Sequence, residues 1–465
     1  MNNRKYQFSR FSFYDYDGIR AHLESLSEQG WVVDKITNFR WRYRRVEPKQ
    51  RHVAVTYFPE ASDFNPRPTE GQETFLDLCE NAGWRLAAQR AQMQIFYSED
   101  PEPVPMDTDP AAQVETIHRS MKKNFLPGSV FVLILAVLEC GFCLWRLWDD
   151  PVRQLSSGSA LFSLLCWPLL AVGQGAELWA YLRWHRRAKA AAEQGLWTSS
   201  PGSRSRLWAW MTLVIVFLLL AVYASASRQT LVIGLTALVM VTLIILLVSG
   251  LRDALRGLGT PAGFNRAASA VLAVVLSFAV TAGGALLILK GVRNGWLEDH
   301  APAETYQYHG ITWEVYHDDL PLTVEDLTDV DYGGYSTELD TASTFLVTRR
   351  TARQEGRLDG PNVPELWYTV TDVHWKPVYG LCRRDLLREY SQYNDPDVPE
   401  FWNEYRPTDA ALWGAPEAYR QYTGGEAENQ FLLCYPDRLV SIRFLGNWEP
   451  TAEQMAMVGE KLSGA

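Results

Sequence analysis

No Gly-x-Ser-x-Gly elbow, His-Glu-x-x-His pair, P-loop or dinucleotide fingerprint occurs anywhere in the 465 residues. That removes the usual sequence marks of serine hydrolases, zinc peptidases, nucleoside triphosphatases and Rossmann enzymes. Cysteine is scarce, and of the six only Cys382 and Cys434 fall in the C-terminal third. The opening stretch MNNRKYQFSRFSFYDYDG lacks an apolar h-region, so no cleaved signal peptide is expected and the first domain is expected to stay in the cytoplasm. Basic residues are sparse at the other end: residues 291–465 hold 14 Lys and Arg against 30 Asp and Glu. Nucleic-acid binding needs clustered cations at phosphates, so no nucleic-acid partner is expected there.

What the chain does have is a sharp partition. The formal charges of residues 1–126, 127–290 and 291–465 are −1, +7 and −16. The middle part carries five apolar runs, near 127–148, 158–183, 207–226, 230–250 and 267–290, each long enough to cross ~30 Å of hydrocarbon. Basic residues favour cytoplasmic loops. Arg119, Lys122 and Lys123 precede the first run; Arg183, Arg186, Arg187, Lys189, Arg204 and Arg206 separate the second and third; Arg252, Arg256 and Arg266 separate the fourth and fifth. The alternate loops hold Arg146 and Arg153, offset by Asp149 and Asp150, and then Arg228. Five spans with the N-terminus cytoplasmic and the C-terminus extracytoplasmic follow, and Trp145, Trp148, Trp179, Trp184, Trp208 and Trp210 fall at span ends, where indole rings are comfortable.

Two acids interrupt the spans. Glu139 sits near the middle of the first, ~18 Å deep, and Glu177, with Gln174, toward the cytoplasmic end of the second, ~9 Å deep. A carboxylate in hydrocarbon is costly, so Glu139, Glu177 and Gln174 are ligand or transport candidates, against the alternative of a neutral or paired acid holding helices together. The third and fourth runs contain no charge, which argues against an ion relay. Small residues recur every fourth position in the fifth, Ser269, Ala273, Ser277, Thr281 and Ala285, a row suited to close helix packing.

The first 98 residues contain a sentence written twice. SEQGW at 27–31 and ENAGW at 80–84 place Trp31 and Trp84 53 residues apart. Extended runs YQFSRFSF and VAVTYF precede, Leu23 and Leu26 match Leu76 and Cys79, and Gly30 or Gly83 closes each helix in a left-handed conformation. Strands follow in each copy, VVDKI with FRWRYRR and RLAAQ with MQIFY, giving a duplicated strand-helix-strand-strand module whose two halves can bury helices and sheet together. Phe39, Trp41 and Tyr43 alternate with Arg40, Arg42 and Arg44, a pattern that can bind nucleic acid but that any half-buried strand with its arginines in water also shows, which is the reading preferred. The acidic, Pro-rich linker SEDPEPVPMDTDP leads to a helix begun by Asp109 and Pro110, with Val114, Ile117, Met121 and Phe125 on one side.

In topology the module resembles the duplicated domains of gyrase-inhibitor-like effector-binding proteins. The EQGW and F-x-W-x-Y block, the AGW and QIFYS block and the acidic linker before the spans resemble bacterial membrane proteins sharing the domain of unknown function numbered 2812, over about residues 1–125. That resemblance implies a bacterial plasma-membrane location and a pathway of PadR-like transcriptional regulators as cytoplasmic partner, and it carries over no catalytic residue.

The last part, 291–465, alternates extended runs with helices, including ITWEVYH, TFLVTRR, LWYTVTDV, a helix around Arg383–Tyr390, a hairpin turning at Pro436 and Asp437, and a final helix capped by Thr451. Outside the membrane Cys382 and Cys434 invite a disulfide, with two buried thiols the equal alternative. Cys79, Cys140, Cys143 and Cys166 read as small apolar groups. His309 and His317, on one face of a continuous strand, would lie ~26 Å apart and cannot share a metal. Glu325, Asp326, Asp329 and Asp331 before two glycines lack EF-hand spacing and read as a solvated turn. Scattered carboxylates include no evident pair for glycan hydrolysis.

The expected architecture is therefore α+β domains flanking an all-α membrane domain: 1–98 a duplicated cytoplasmic module, 99–126 a linker and juxtamembrane helix, 127–290 five spans, and 291–465 an extracytoplasmic α+β domain. The expected function is that of a non-enzymatic sensor or regulator without cofactor, meeting the lipid bilayer, an external ligand or envelope protein, and a cytoplasmic regulatory partner. The alternative is a transport component working through Glu139 and Glu177.

Overall fold

The computed structural model describes residues 3–7, 11–37, 40–202, 205–225, 228–293, 302–330, 333–395, 397–446 and 448–464. Of the residues singled out above, Phe39, Arg204 and Asp331 lie outside these, as do Phe8, Ser9 and Arg10 of the first extended run and the side chains of Arg206 and Arg228. The chain divides into two compact units, Met1–Glu139 with Cys166–Phe217 and Ile233–Leu289, and Cys140–Leu165 with Leu218–Val232 and Lys290–Ala465.

In the first unit, β1 (Arg4–Gln7), α1 (Tyr16–Glu28), β2 (Trp31–Ile36) and β3 (Trp41–Arg45) are followed by β4 (His52–Tyr57), α2 (Glu70–Asn81), β5 (Arg85–Arg90) and β6 (Met93–Ser98). They make two antiparallel three-stranded sheets, ordered β1-β3-β2 and β4-β6-β5. The duplication reaches the backbone: one register shift falls between Val33 and Lys35, the other at the matching positions Leu86 and Ala88. Gly30 (φ +78) and Gly83 (φ +83) both close their helices left-handed, and a Cβ on Gly30 would come within 2.8 Å of the Val46 carbonyl.

The copies pack unequally. Ile19, Leu23 and Leu26 of α1 enter a core with Trp41, Tyr43, Val55 and Ile95, whereas α2 sits on its own small cluster of Cys79, Trp84 and Phe96. The expected joint burial of both helices is thus corrected, because α2 turns Leu78 outward. The first strand is also shorter than YQFSRFSF suggested. Phe11 and Phe13 leave the sheet to pack against the core, and Asp15 caps α1 by accepting the Gly18 N–H.

Next come α3 (Pro110–Lys123), α4 (Phe125–Asp149), α5 (Pro151–Ser156), α6 (Gly158–Ala192), α7 (Ser205–Ser225), α8 (Arg228–Gly257) and α9 (Ala262–Arg293). Four helical stretches among the described residues are long and apolar enough to cross a membrane, Phe125–Asp149, Gly158–Ala192, Gly234–Gly257 and Ala262–Gly291, so the expected count of five is corrected to four. In α7, 21 residues long, the apolar stretch among the described residues is Trp210–Leu220, and the side chains of 221–225 lie outside them. Phe131, Leu138, Leu246 and Phe278 stand exposed on these helices, a surface that suits lipid and would be costly in water. At 35 residues, ~52 Å, α6 exceeds what a bilayer needs, and its last turns continue into the N-terminal core through Tyr181, Trp184, Ala188 and Ala192.

The second unit ends in β7 (Glu304–Tyr308), β8 (Ile311–Val315), α10 (Val324–Leu327), β9 (Tyr335–Ser343), β10 (Val347–Gly356), β11 (Glu365–Val373), α11 (Tyr379–Arg388), β12 (Asn403–Pro407), β13 (Glu417–Thr423), β14 (Glu426–Cys434), β15 (Arg438–Leu445) and α12 (Ala452–Leu462). The single strand expected through His309 and His317 is instead a hairpin, turned by His309 (φ +49) and Gly310 (φ +77), so those histidines do not share one strand. Seven antiparallel strands form one sheet, β12-β13-β14-β15-β11-β10-β9. One face carries Ala352, Leu366, Val370, Ile442 and Phe431 in a core with Trp413 and the Val458 and Leu462 positions of α12. Thr451 and Gln454 close the N-terminus of α12 with a capping box. The acidic stretch at 325–326 is a single helical turn in which Asp326 pairs with Lys461 and Glu325 accepts from Gln354.

Candidate functional site

The opposite face of the seven-stranded sheet is half apolar and half polar, and register decides where each half lies. Arg353, Trp367, Arg443 and Gln430 stand side by side across β10, β11, β15 and β14; Thr351, Thr369, Ser441 and Leu432 form the next row; Arg349, Thr371, Leu439 and Cys434 the third. Within the second and third rows the face turns apolar toward β14 and β15, and Leu432, Cys434 and Leu439 pack with Val347 and Val373 under Cys382 of α11 and Val152 and Leu155 of α5. The polar rows are left as the floor of a cavity of about 800 Å³. A volume of this size matches a small-molecule site.

Its wall is acidic. Asp385 and Glu389, four residues apart on and just after α11 and therefore on one side, face the cavity with Asp149, Asp150 and Tyr390. The lining holds four acids against Arg153, Arg349, Arg353 and Arg443, so it is balanced in charge but divided by side. Arg353 lies over the Trp367 ring at 5.4 Å, and Arg349 is 3.8 Å from the Asp340 carboxylate while its buried Nε has no hydrogen-bond partner among the described residues. Burial pushes the Asp385 carboxyl up to about 7, reinforced by Asp150 and Glu389 and opposed by the Val152 N–H it accepts at 3.2 Å. Glu389 is also raised, by burial and then Asp150, with Arg349 opposing.

A pH dependence follows. With a folded pKa of about 7 against an ordinary value of 3.8, the native state holds a proton that the unfolded chain has released. Stability of the C-terminal region therefore falls as pH rises from about 4 to about 7 on account of this group. Asp385→Asn keeps the acceptor for Val152 and removes the charge, so its melting temperature should match the parent near pH 4 and exceed it at pH 8. Melting curves that remain parallel across pH would refute this assignment.

A second constellation lies in the first unit, in the C-terminal half of α6. Glu177 is buried; its Oε1 accepts from Ser12 Oγ at 2.5 Å and from Tyr14 OH at 3.1 Å, while Oε2 has no hydrogen-bond partner among the described residues. One turn further along α6, Tyr181 OH lies 2.6 Å from His118 Nδ1 of α3, whose ring stacks on His185, a turn beyond, at 3.9 Å. Burial and Lys122 hold His118 below its ordinary pKa. Glu139 is half-buried and, among the described residues, has no hydrogen-bond or ion-pair partner; Gln174 is likewise half-buried.

Cys382 and Cys434 share one apolar cluster as free thiols, so the disulfide alternative is not what the structure contains. Burial pushes Cys382 up to about 12 and Cys434 to about 11, which leaves both protonated and unreactive. Of the cavity's residues the sequence singled out Asp149, Asp150 and Arg153, as loop charges and not as a site. The available signal was the alternation in VTRRTARQEG and ELWYTVTDV, where one face of each strand is apolar and the other polar although both lie in the middle of a sheet.

Residues 15–127 match the model of a family described as Protein of unknown function (DUF2812). That match covers α1 to β6 of the duplicated module, the linker and α3, and leaves out β1. No curated protein and no solved structure matches the chain.

Proposed function

We propose that this is a non-enzymatic sensor or regulator of the bacterial plasma membrane, whose C-terminal region binds a small ligand bearing both negative and positive groups. The cavity over the polar rows carries this reading. Arg353 and Arg443 on its floor suit a carboxylate or phosphate, and Asp385 and Glu389 on its wall suit an ammonium or hydrogen-bond donors, with Trp367 between them. Binding is favoured over hydrolysis because both wall carboxyls are pushed the same way, whereas acid–base chemistry needs two groups driven apart. The described lining contains no histidine, lysine or cysteine.

In this reading α7, whose 21 residues give ~31 Å, is a fifth crossing, so the N-terminal module faces the cytoplasm and a PadR-like regulatory pathway and the C-terminal region faces outward. Support comes from the basic residues at the inner helix ends and from α9. Its first turn meets the N-terminal domain, with Arg266 over the Phe64 ring at 5.5 Å, and beside it Arg252 lies 3.9 Å from Asp63. From there 32 residues, ~48 Å, lead away across the bilayer. The transport alternative is weakened by the hydrogen bonds that occupy Glu177.

The test is calorimetric titration of the purified full chain with a zwitterionic dipeptide and with its acetylated, amidated counterpart. The charged peptide should bind and the blocked one should not. Arg353→Gln with Arg443→Gln should weaken binding about 10- to 100-fold, the scale of losing charge-assisted hydrogen bonds. Equal binding of both peptides, or no effect of the double variant, would overturn the assignment.

A further inference from the structure

We propose that the crevice between the outer end of α4 and the beginning of α6 is a binding site for the phosphate headgroup of an anionic phospholipid. The inference is independent of the ligand cavity. The crevice encloses about 300 Å³ and is lined by Arg146 from α4, Arg153 and Gln154 from α5, and Ser157, Ser159 and Ser163 at the start of α6. No acid lines it. Neither arginine has an ion-pair partner among the described residues, and Arg146 merely lies near the Phe142 ring at 5.7 Å.

This resolves an oddity of charge. Arg146 and Arg153 occupy a loop where the distribution of basic residues calls for few, and in sequence they look neutralised by Asp149 and Asp150. In the folded chain the charges are sorted: Asp149 and Asp150 line the ligand cavity, and Asp150 Oδ1 is used by the Arg153 N–H at 3.1 Å. Arg146 lines only the crevice, Arg153 both. Two guanidinium groups are thereby left facing a polar slot walled by two apolar membrane helices, whose ends lie at the depth of headgroups. Arginine forks suit phosphate oxygens, and the serine hydroxyls and the Gln154 amide supply neutral donors. The source is lipid rather than dissolved phosphate because Cys143, Leu147 and Leu164 complete the lining with apolar surface on which acyl chains can lie.

The experiment is native mass spectrometry and thermal unfolding of the detergent-purified full chain, titrated with phosphatidylglycerol, phosphatidylcholine or inorganic phosphate. Wild type should retain phosphatidylglycerol and melt several degrees higher with it, with weaker retention of phosphatidylcholine and no shift with inorganic phosphate. Arg146→Gln should weaken phosphatidylglycerol retention about fivefold and the Arg146→Gln, Arg153→Gln double variant about 25-fold, from the affinity of one surface arginine for an anionic headgroup. Arg146→Lys, which keeps the charge, should restore most of it and guards against a folding defect. Unchanged retention in Arg146→Gln overturns the proposal, as does stabilisation by inorganic phosphate equal to that by the lipid.

Discussion

Trp413→Ala should destabilise the C-terminal region by about 3–5 kcal/mol, the largest effect expected of any single substitution in this chain. Trp413 is almost completely buried and touches Phe431 and Phe444 with ring centres 4.9 and 6.5 Å away. Its backbone is equally committed: the carbonyl accepts from Tyr435 OH at 3.1 Å, and Gly459 of α12 passes so close that a Cβ there would meet the same oxygen at 2.1 Å. A cavity left at this point cannot collapse easily, because helix and sheet are held apart by the surrounding Val458, Leu462 and Ile442. Thermal unfolding of the purified protein should show a lower transition for the C-terminal region, whereas Trp402→Ala, at an exposed indole, should change it by less than about 1 kcal/mol. Equal effects at the two tryptophans would contradict the packing described.

Glu177 gives the second large effect, and the contrast between two replacements is the informative part. Glu177→Leu strands the hydroxyls of Ser12 and Tyr14 in a buried setting and should cost about 2–4 kcal/mol in stability of the first unit. Glu177→Gln retains an acceptor oxygen and should cost about 1 kcal/mol or less. Paired with Glu139→Gln, the same variant separates the two functional readings: a sensor keeps its ligand affinity and its cytoplasmic partner on copurification from membranes, while a transporter loses flux in reconstituted vesicles. Loss of flux in that double variant, with stability intact, would replace the sensing hypothesis by transport.

Much of the framework was legible in the sequence because it rests on local rules. Gly30 and Gly83 announce left-handed helix ends, Pro436 and Asp437 a hairpin, and Thr451 a helix start, each through an interaction within a few residues. The four long apolar helices are readable from apolar length alone. The polar rows were invisible for the opposite reason: Arg353, Trp367, Arg443 and Gln430 come from four strands spread over 91 positions, and only register brings them together. Glu177 illustrates the same limit. Its place in the chain suggested a deep acid in lipid, but its partners, Ser12 and Tyr14, lie more than 160 residues away.

The overshoot of α6 beyond the bilayer has a mechanical meaning. Pro168, ten residues into the helix, removes one N–H from its hydrogen-bond ladder, and the 24 residues from there to Ala192 contain no further proline. That makes a stiff lever ~36 Å long whose tip is wedged among the aromatic rings of the N-terminal core. A bend at the proline would displace Tyr181 and Trp184 together, so that it would be felt directly in the N-terminal core.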